Sequence, residues 1–430
     1  MSERTVVIVS PYFPPSTLAG VHRARHLAKH LPEHGWTPIV LCVDEAFHEQ
    51  QLDPELVRLV PDAVEIVKVP AMPARMTRLL GIGEISLRAW RPLRQALLQL
   101  LRSRSVDAVL ITGSPFYPML LAGMIKRRFG VPVVLDFQDP WVSDWGAAQH
   151  PFSKAGAAHR LALLLEPRAL RHADFVTSVS DTQNAEMASR YPWLDSSQMA
   201  GIPIGGDPED FEALRARPLA GDVIELDPSV VNCSYVGTFL PRSAALVRTL
   251  FRSLQRLRAA KPDVGGFIRF NFIGTSNQPN DRSTYRVRPL AEAEGVADAV
   301  REIPQRLPYL QALGVLARSD AVLMIGSDEP HYTASKIYPG LMSGRPFLSL
   351  FHQASSAHEI LSAAGGGLTF GFKDNRELAA LEQPLADGLK RLATAPESLG
   401  RAEPAACAPY ESGAIAGRYA AIFERIGRNG

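Results

Sequence analysis

The chain has 430 residues, with 46 Lys+Arg against 44 Asp+Glu, a formal charge of +2, 46% apolar residues and 21% charged residues. At roughly 100–200 residues per domain this makes two or three domains with real cores, and it excludes a disordered chain and a protein that wraps duplex nucleic acid by net charge. Three scattered cysteines, Cys42, Cys233 and Cys407, exclude a disulfide framework or a cysteine zinc site and fit a reducing cytoplasm; no apolar run approaches the ~20 residues that span a bilayer, and no secretory signal is expected.

Thr5-Val-Val-Ile-Val9 is a short β-branched run that reads as a strand buried on both faces. A proline-rich loop follows from Pro11 to Gly20, then a helix from about Val21 with Leu27 and Leu31 four apart. Gly35 suits its C-cap, and 39–43 is the next strand. The alternation continues with strands expected at 64–69, 108–112, 131–135 and 175–179, and helices at about 85–103, 116–129, 155–171 and 182–190. The acidic segment 205–229 reads as a surface linker. Alternation then resumes, with strands at 230–236, 267–273, 299–303, 320–325 and 346–350 and helices between them. A last helix is expected at about 411–427. Repeated βα units with buried strands imply doubly wound parallel sheets. The expected organisation is an N-terminal Rossmann-like domain (1–204), the linker (205–229), a C-terminal Rossmann-like domain (230–409) and a terminal helix (410–430).

In such sheets ligands bind outside the carboxyl ends of the strands, so four loops are candidates. Ser10 to Arg23 leads from the first strand to a helix N-terminus. There Gly20 permits close backbone approach, and His22 and Arg23 add charge, which suits a phosphate; a ligand-free proline turn is the alternative. Asp136-Phe-Gln-Asp-Pro-Trp141 places two carboxylates beside an aromatic. It can orient a polyhydroxyl substrate, cap a helix or pair with arginine. Gly237-Thr-Phe-Leu-Pro-Arg242 can host a phosphate with Arg242 as counter-charge, unless Arg242 is only a solvated first-turn residue. Ser335-Lys336 opens a further helix, where dipole and ammonium together suit a diphosphate, unless Lys336 is simply exposed.

Taken in order, these stretches resemble the glycosyltransferases of the family 4 type. Pro11-Tyr-Phe-Pro-Pro with Ala19-Gly20 is similar to the opening "PxFPPxxGG" loop, and Ala173 to Ser180 to the "ADxvitvS" stretch. Ile202 to Phe211 is similar to "vxpNGvDxxxF", and Ser335 to Pro346 to "sKlyEylasGkPv". Asp136 to Trp141 resembles "DxRDxW" of some bacterial members. The resemblance implies an α/β GT-B fold of two facing Rossmann-like doubly wound domains with an interdomain cleft. It also implies retaining, metal-independent transfer of a sugar from a nucleotide-sugar donor to a glycan or lipid-linked acceptor, in polysaccharide or glycolipid biosynthesis. The nucleotide sugar is then a substrate, and no cofactor or metal is expected. Donor binding falls to Gly20, Gly237, Arg242, Ser335, Lys336 and His331. The acceptor side falls to Asp136, Trp141 and His22, with Asp139 positioning the acceptor. Two glutamates that many members place eight apart are His331 and Pro339 here, and the motif asparagine is Ile204. These departures keep two alternatives open: a binding protein that has lost catalysis, and a sugar-nucleotide epimerase drawing on Asp136, Asp139, Glu329 and His331.

Residues 71–135 hold ten basic against two acidic residues, with Leu79, Leu80, Ile82, Leu87, Trp90 and Leu93 among the arginines. An interfacial helix on an anionic membrane is expected there, on the cytoplasmic side, unless the leucines form core and the arginines a solvated face.

Overall fold

The computed structural model describes residues 4–78, 81–219, 224–329 and 335–427. The chain divides into two compact units. One comprises residues up to Ile204 together with those from Ser412 onward; the other is Gly205–Glu411.

The first unit is built on seven strands: β1 (Arg4–Val9), β2 (Trp36–Val43), β3 (Glu65–Val69), β4 (Ala108–Gly113), β5 (Val133–Phe137), β6 (Phe175–Ser178) and β7 (Met199–Gly201). They pair in parallel in the order β3-β2-β1-β4-β5-β6-β7. Val6 to Val9 are wholly buried, as expected of a strand covered on both faces. Helix α1 (Val21–His30) follows β1, α2 (Trp90–Ser103) precedes β4, and α3 (Lys154–Leu170) precedes β6.

Helix α2 points Leu93, Leu97, Leu100 and Leu101 into the core, and Trp90 packs on the same cluster. The leucine stripe follows the helical period. Leu93 is therefore core, Trp90 packs beside it, and Arg91 and Arg102 form the solvated face, so these two apolar residues are taken from the expected membrane helix, while Ile82 and Leu87 are half-buried. Leu79 and Leu80 lie outside the described residues.

The terminal helix Ser412–Gly427 is not a separate appendage. Its Ile415, Tyr419 and Phe423 join Leu27, Leu31 and Trp36 in one core cluster of the first unit, and Phe423 meets Trp36 edge-on at 5.1 Å.

The second unit carries β8 (Val231–Val236), β9 (Ile268–Ile273), β10 (Val300–Ile303), β11 (Ala321–Ile325), β12 (Phe347–His352) and β13 (Gly367–Phe372), parallel in the order β10-β9-β8-β11-β12-β13. The expected linker is folded in its first half. Helix α4 (Pro208–Ala216) starts on Asp207, whose carboxylate accepts from the Glu209 N–H at 3.1 Å, and buries Phe211. Acidic residues there read as linker because N-caps and first turns favour the same residue types. Helix α5 (Ala244–Ala260) leads away from β8, and the short α6 (Ile337–Met342) follows β11. Helix α7 (Glu382–Thr394), which no sequence signal singled out, packs Leu385, Leu389 and Leu392 into the core that Leu250, Phe251 and Leu254 of α5 also fill. Pro339 sits in the first turn of α6, where a missing N–H costs no hydrogen bond.

Candidate functional site

In each sheet the chain runs from a central strand to one side and later crosses to the other. The switch points lie between β1 and β4 and between β8 and β11. The loops at their carboxyl ends are where an open α/β sheet binds ligands.

In the second unit, β8 is followed by Gly237, whose φ of 142° suits glycine. A side chain there would meet Lys336, whose Nζ lies 3.6 Å from the position a Cβ would take. The Lys336 ammonium donates to the Tyr235 hydroxyl, reaches the Thr238 carbonyl at 3.4 Å, and lies 4.2 Å from the centre of the Tyr235 ring. Tyr235 in turn donates to the Thr238 carbonyl at 2.7 Å, fixing the turn. No carboxylate among the described residues pairs with Lys336, and desolvation pulls its pKa from 10.5 down to about 7. The β8 and β11 loops are tied together where Ser243 donates to the Gly326 carbonyl at 2.6 Å. Ser335 is exposed one residue before Lys336.

Arg242 is placed differently from expectation. Its guanidinium is paired with Asp328 at 2.8 Å and with Glu329. It is half-exposed and already neutralised by two carboxylates, so it is not a free counter-charge. His331 lies outside the described residues.

In the first unit, the Asp136-to-Trp141 stretch sorts by burial. Asp136 is fully buried. It pairs with Arg23 at 3.3 Å and accepts from Thr177 and Tyr419 at 2.8 Å each. Arg23 also donates to the carbonyls of Ile202 and Pro203. Asp136 thus leaves the acceptor side and joins the framework, and Arg23 brings no charge to the Gly20 loop. Asp139 stands exposed after β5. Its shielded protein side raises its carboxyl above the usual range. Trp141 stacks on Phe116 at 5.3 Å and 10° and meets Tyr117 edge-on at 6.0 Å. His22 lies in the first turn of α1, 3.3 Å from Arg25.

Gly20 precedes α1, but its surroundings are poor for phosphate. The N–H groups of Val21 and His22 are taken by the carbonyls of Leu18 and Ala19. The Gln138 Oε1 and the Ser114 carbonyl each lie 3.5 Å from where a Cβ would be. Two oxygen acceptors facing a gap suit a hydroxyl donor rather than an anion. Gln138 is buried, donates to the Gly20 carbonyl at 3.3 Å, and leaves Oε1 without a partner among the described residues. It escaped sequence reasoning, although it stands where the resembling motif has arginine.

Residues 19–205 match the family model described as glycosyl transferase 4-like domain. Over that segment the chain is similar to this family. No curated protein matches the sequence. Among solved structures, HepE of Anabaena in complex with UDP-glucose is similar over 97% of this chain and 98% of its own, at 14% identity and a TM-score of 0.56. A UDP-forming trehalose-phosphate synthase from Burkholderia xenovorans covers 99% of both chains at 15% identity and a TM-score of 0.59. A putative UDP-N-acetylglucosamine 2-epimerase from Listeria monocytogenes covers 98% of this chain and 96% of its own, at 12% identity and a TM-score of 0.51. The fold of this chain, with its seven- and six-stranded parallel sheets, is GT-B.

Proposed function

We propose that this chain is a glycosyltransferase that moves a sugar from a nucleotide-sugar donor to a glycan or lipid-linked acceptor on the cytoplasmic side. The observation that carries the donor half is Lys336: a cation without a carboxylate partner among the described residues, beside the glycine that follows β8, at the switch point of the sheet. A diphosphate there supplies the missing negative charge. The ammonium then stabilises the leaving group as its bond to the sugar breaks. In retaining transfer the C1–O bond to the diphosphate breaks, the C1–O bond to the acceptor forms, and the acceptor proton goes to the leaving phosphate oxygen. This needs no protein nucleophile and no metal, and the nucleotide sugar is consumed as substrate. On the acceptor side Asp139 and Trp141 offer a carboxylate beside an aromatic ring, and Gln138 Oε1 accepts from a sugar hydroxyl. Calorimetric titration with UDP and a panel of nucleotide sugars, followed by product analysis with glycan acceptors, tests the reading. No binding to any of them would reject it in favour of a non-catalytic relative.

The epimerase reading draws on the Listeria structure. It loses two of the four residues of its acid/base set here, since Asp136 is locked to Arg23 and Glu329 to Arg242. Incubation with UDP-N-acetylglucosamine and no acceptor separates the two readings, because only an epimerase changes the sugar.

A further inference from the structure

Helix α3 carries apolar side chains on two opposite sides. Ala162, Ala169 and Leu170 face the core, while Leu161 is 41% and Leu164 52% exposed on the opposite side. Ala157, Leu161, Leu164 and Arg168 follow the i, i+4, i+7, i+11 spacing of a single stripe. Just before the helix, Trp145 is 69% and Phe152 86% exposed. A helix with two apolar faces belongs inside a core or against an apolar partner, yet one face of α3 meets solvent.

The charges around this face share one sign. Lys154, Arg160, Arg168 and Arg171 are all exposed. None of them has an ion-pair partner among the described residues. Arg160 lies over the Phe152 ring at 5.8 Å, and Arg171 over Trp193, itself exposed, at 5.6 Å. From 143 to 171 the exposed acid is Asp144; Glu166 is buried against Arg190.

We propose that the outer face of α3, with Trp145 and Phe152, docks on an anionic lipid bilayer. The rings and leucines enter the headgroup–acyl boundary, and the flanking arginines meet lipid phosphates. Charge selects this occupant. A symmetric contact with a second copy would set the basic rows of both copies together at a cost, whereas an anionic surface complements them. This surface is separate from the one expected within 71–135, where Leu93 is core, and it is independent of the transfer reaction.

The test uses the full chain without substrate, co-sedimented with phosphatidylglycerol-containing and with purely phosphatidylcholine vesicles at low and high salt. Wild type is expected to bind the anionic vesicles and to release in high salt. The double variant Leu161→Gln/Leu164→Gln, and separately Phe152→Ser, alter exposed positions. They are expected to keep the wild-type melting temperature while losing about tenfold or more in vesicle affinity. Arg91→Glu/Arg94→Glu on α2 is expected to retain most of the binding. Equal binding by wild type and the α3 variants would overturn the proposal, as would loss confined to the α2 variant or no binding by wild type. Light scattering adds one more outcome: a dimer that dissociates in Leu161→Gln/Leu164→Gln would assign the face to a second copy and overturn it too.

Discussion

Lys336 is a half-buried cation at a strand end, and the diphosphate role proposed for it carries a pH expectation. Its pKa, about 7 in the free protein against 10.5 ordinarily, means that the charged form is lost as pH rises through neutrality. A diphosphate binds that form, so UDP affinity should fall between about pH 7 and 9, by up to about tenfold per unit. Stability runs the other way. In that window the unfolded chain holds a proton that the folded one lacks, so stability contributed by this group rises with pH. Lys336→Ala should bind UDP about 10–150-fold more weakly at pH 6.5 and show no such pH dependence. Calorimetry across the range checks both, and a flat wild-type profile would remove Lys336 from the diphosphate site. Arg242→Ala should cost only a fewfold in the same titration, because Asp328 and Glu329 already neutralise that guanidinium and exposed pairs are worth about 0–1 kcal/mol. Asp136 carries a different expectation. Asp136→Ala strands the Arg23 guanidinium in the interior, which should destabilise the first unit by about 3–5 kcal/mol in urea unfolding.

The C-terminal helix is the element whose role only packing reveals. Ile415, Tyr419, Phe423 and Ile426 are buried against the first unit, and full burial of such side chains contributes roughly 1.5–3 kcal/mol each. Together they rival the ~5–15 kcal/mol that holds a domain folded. Ending the chain after Glu411 should therefore leave the first unit unfolded or aggregated, read as loss of its thermal transition; an unchanged transition would contradict the packing. Amphipathic α2 was legible as a helix from its leucine spacing, but the same spacing fits a core stripe and an interfacial one. The sheet beneath it decides between them. Strand β13 was illegible because Gly365 to Gly367 and Gly371 weaken its strand pattern; it is held by a full ladder with β12.

At the scale of the whole molecule, the second unit is one continuous segment, whereas the first is closed by a helix from the far end of the chain. Gly205–Glu411 expressed alone should melt cooperatively and still bind UDP through Lys336, measured by calorimetry. A folded fragment without UDP affinity would show that the donor site needs more than this unit supplies. Sequence by itself determined the alternation of strands and helices and the two parallel sheets, and it singled out Gly237 and Lys336 at strand-end loops, because period, punctuation by glycine and proline, and the strand-end rule are local or topological. Tertiary structure alone decided which charges are available. Asp136 and Arg23 lie 113 residues apart and satisfy each other in the interior. Arg242 meets its carboxylates 86 and 87 residues downstream. The leucines of α2 turn inward while Leu161, Leu163 and Leu164 of α3 meet solvent. Burial and long-range pairing are set by what the fold brings alongside, and no local spacing records that.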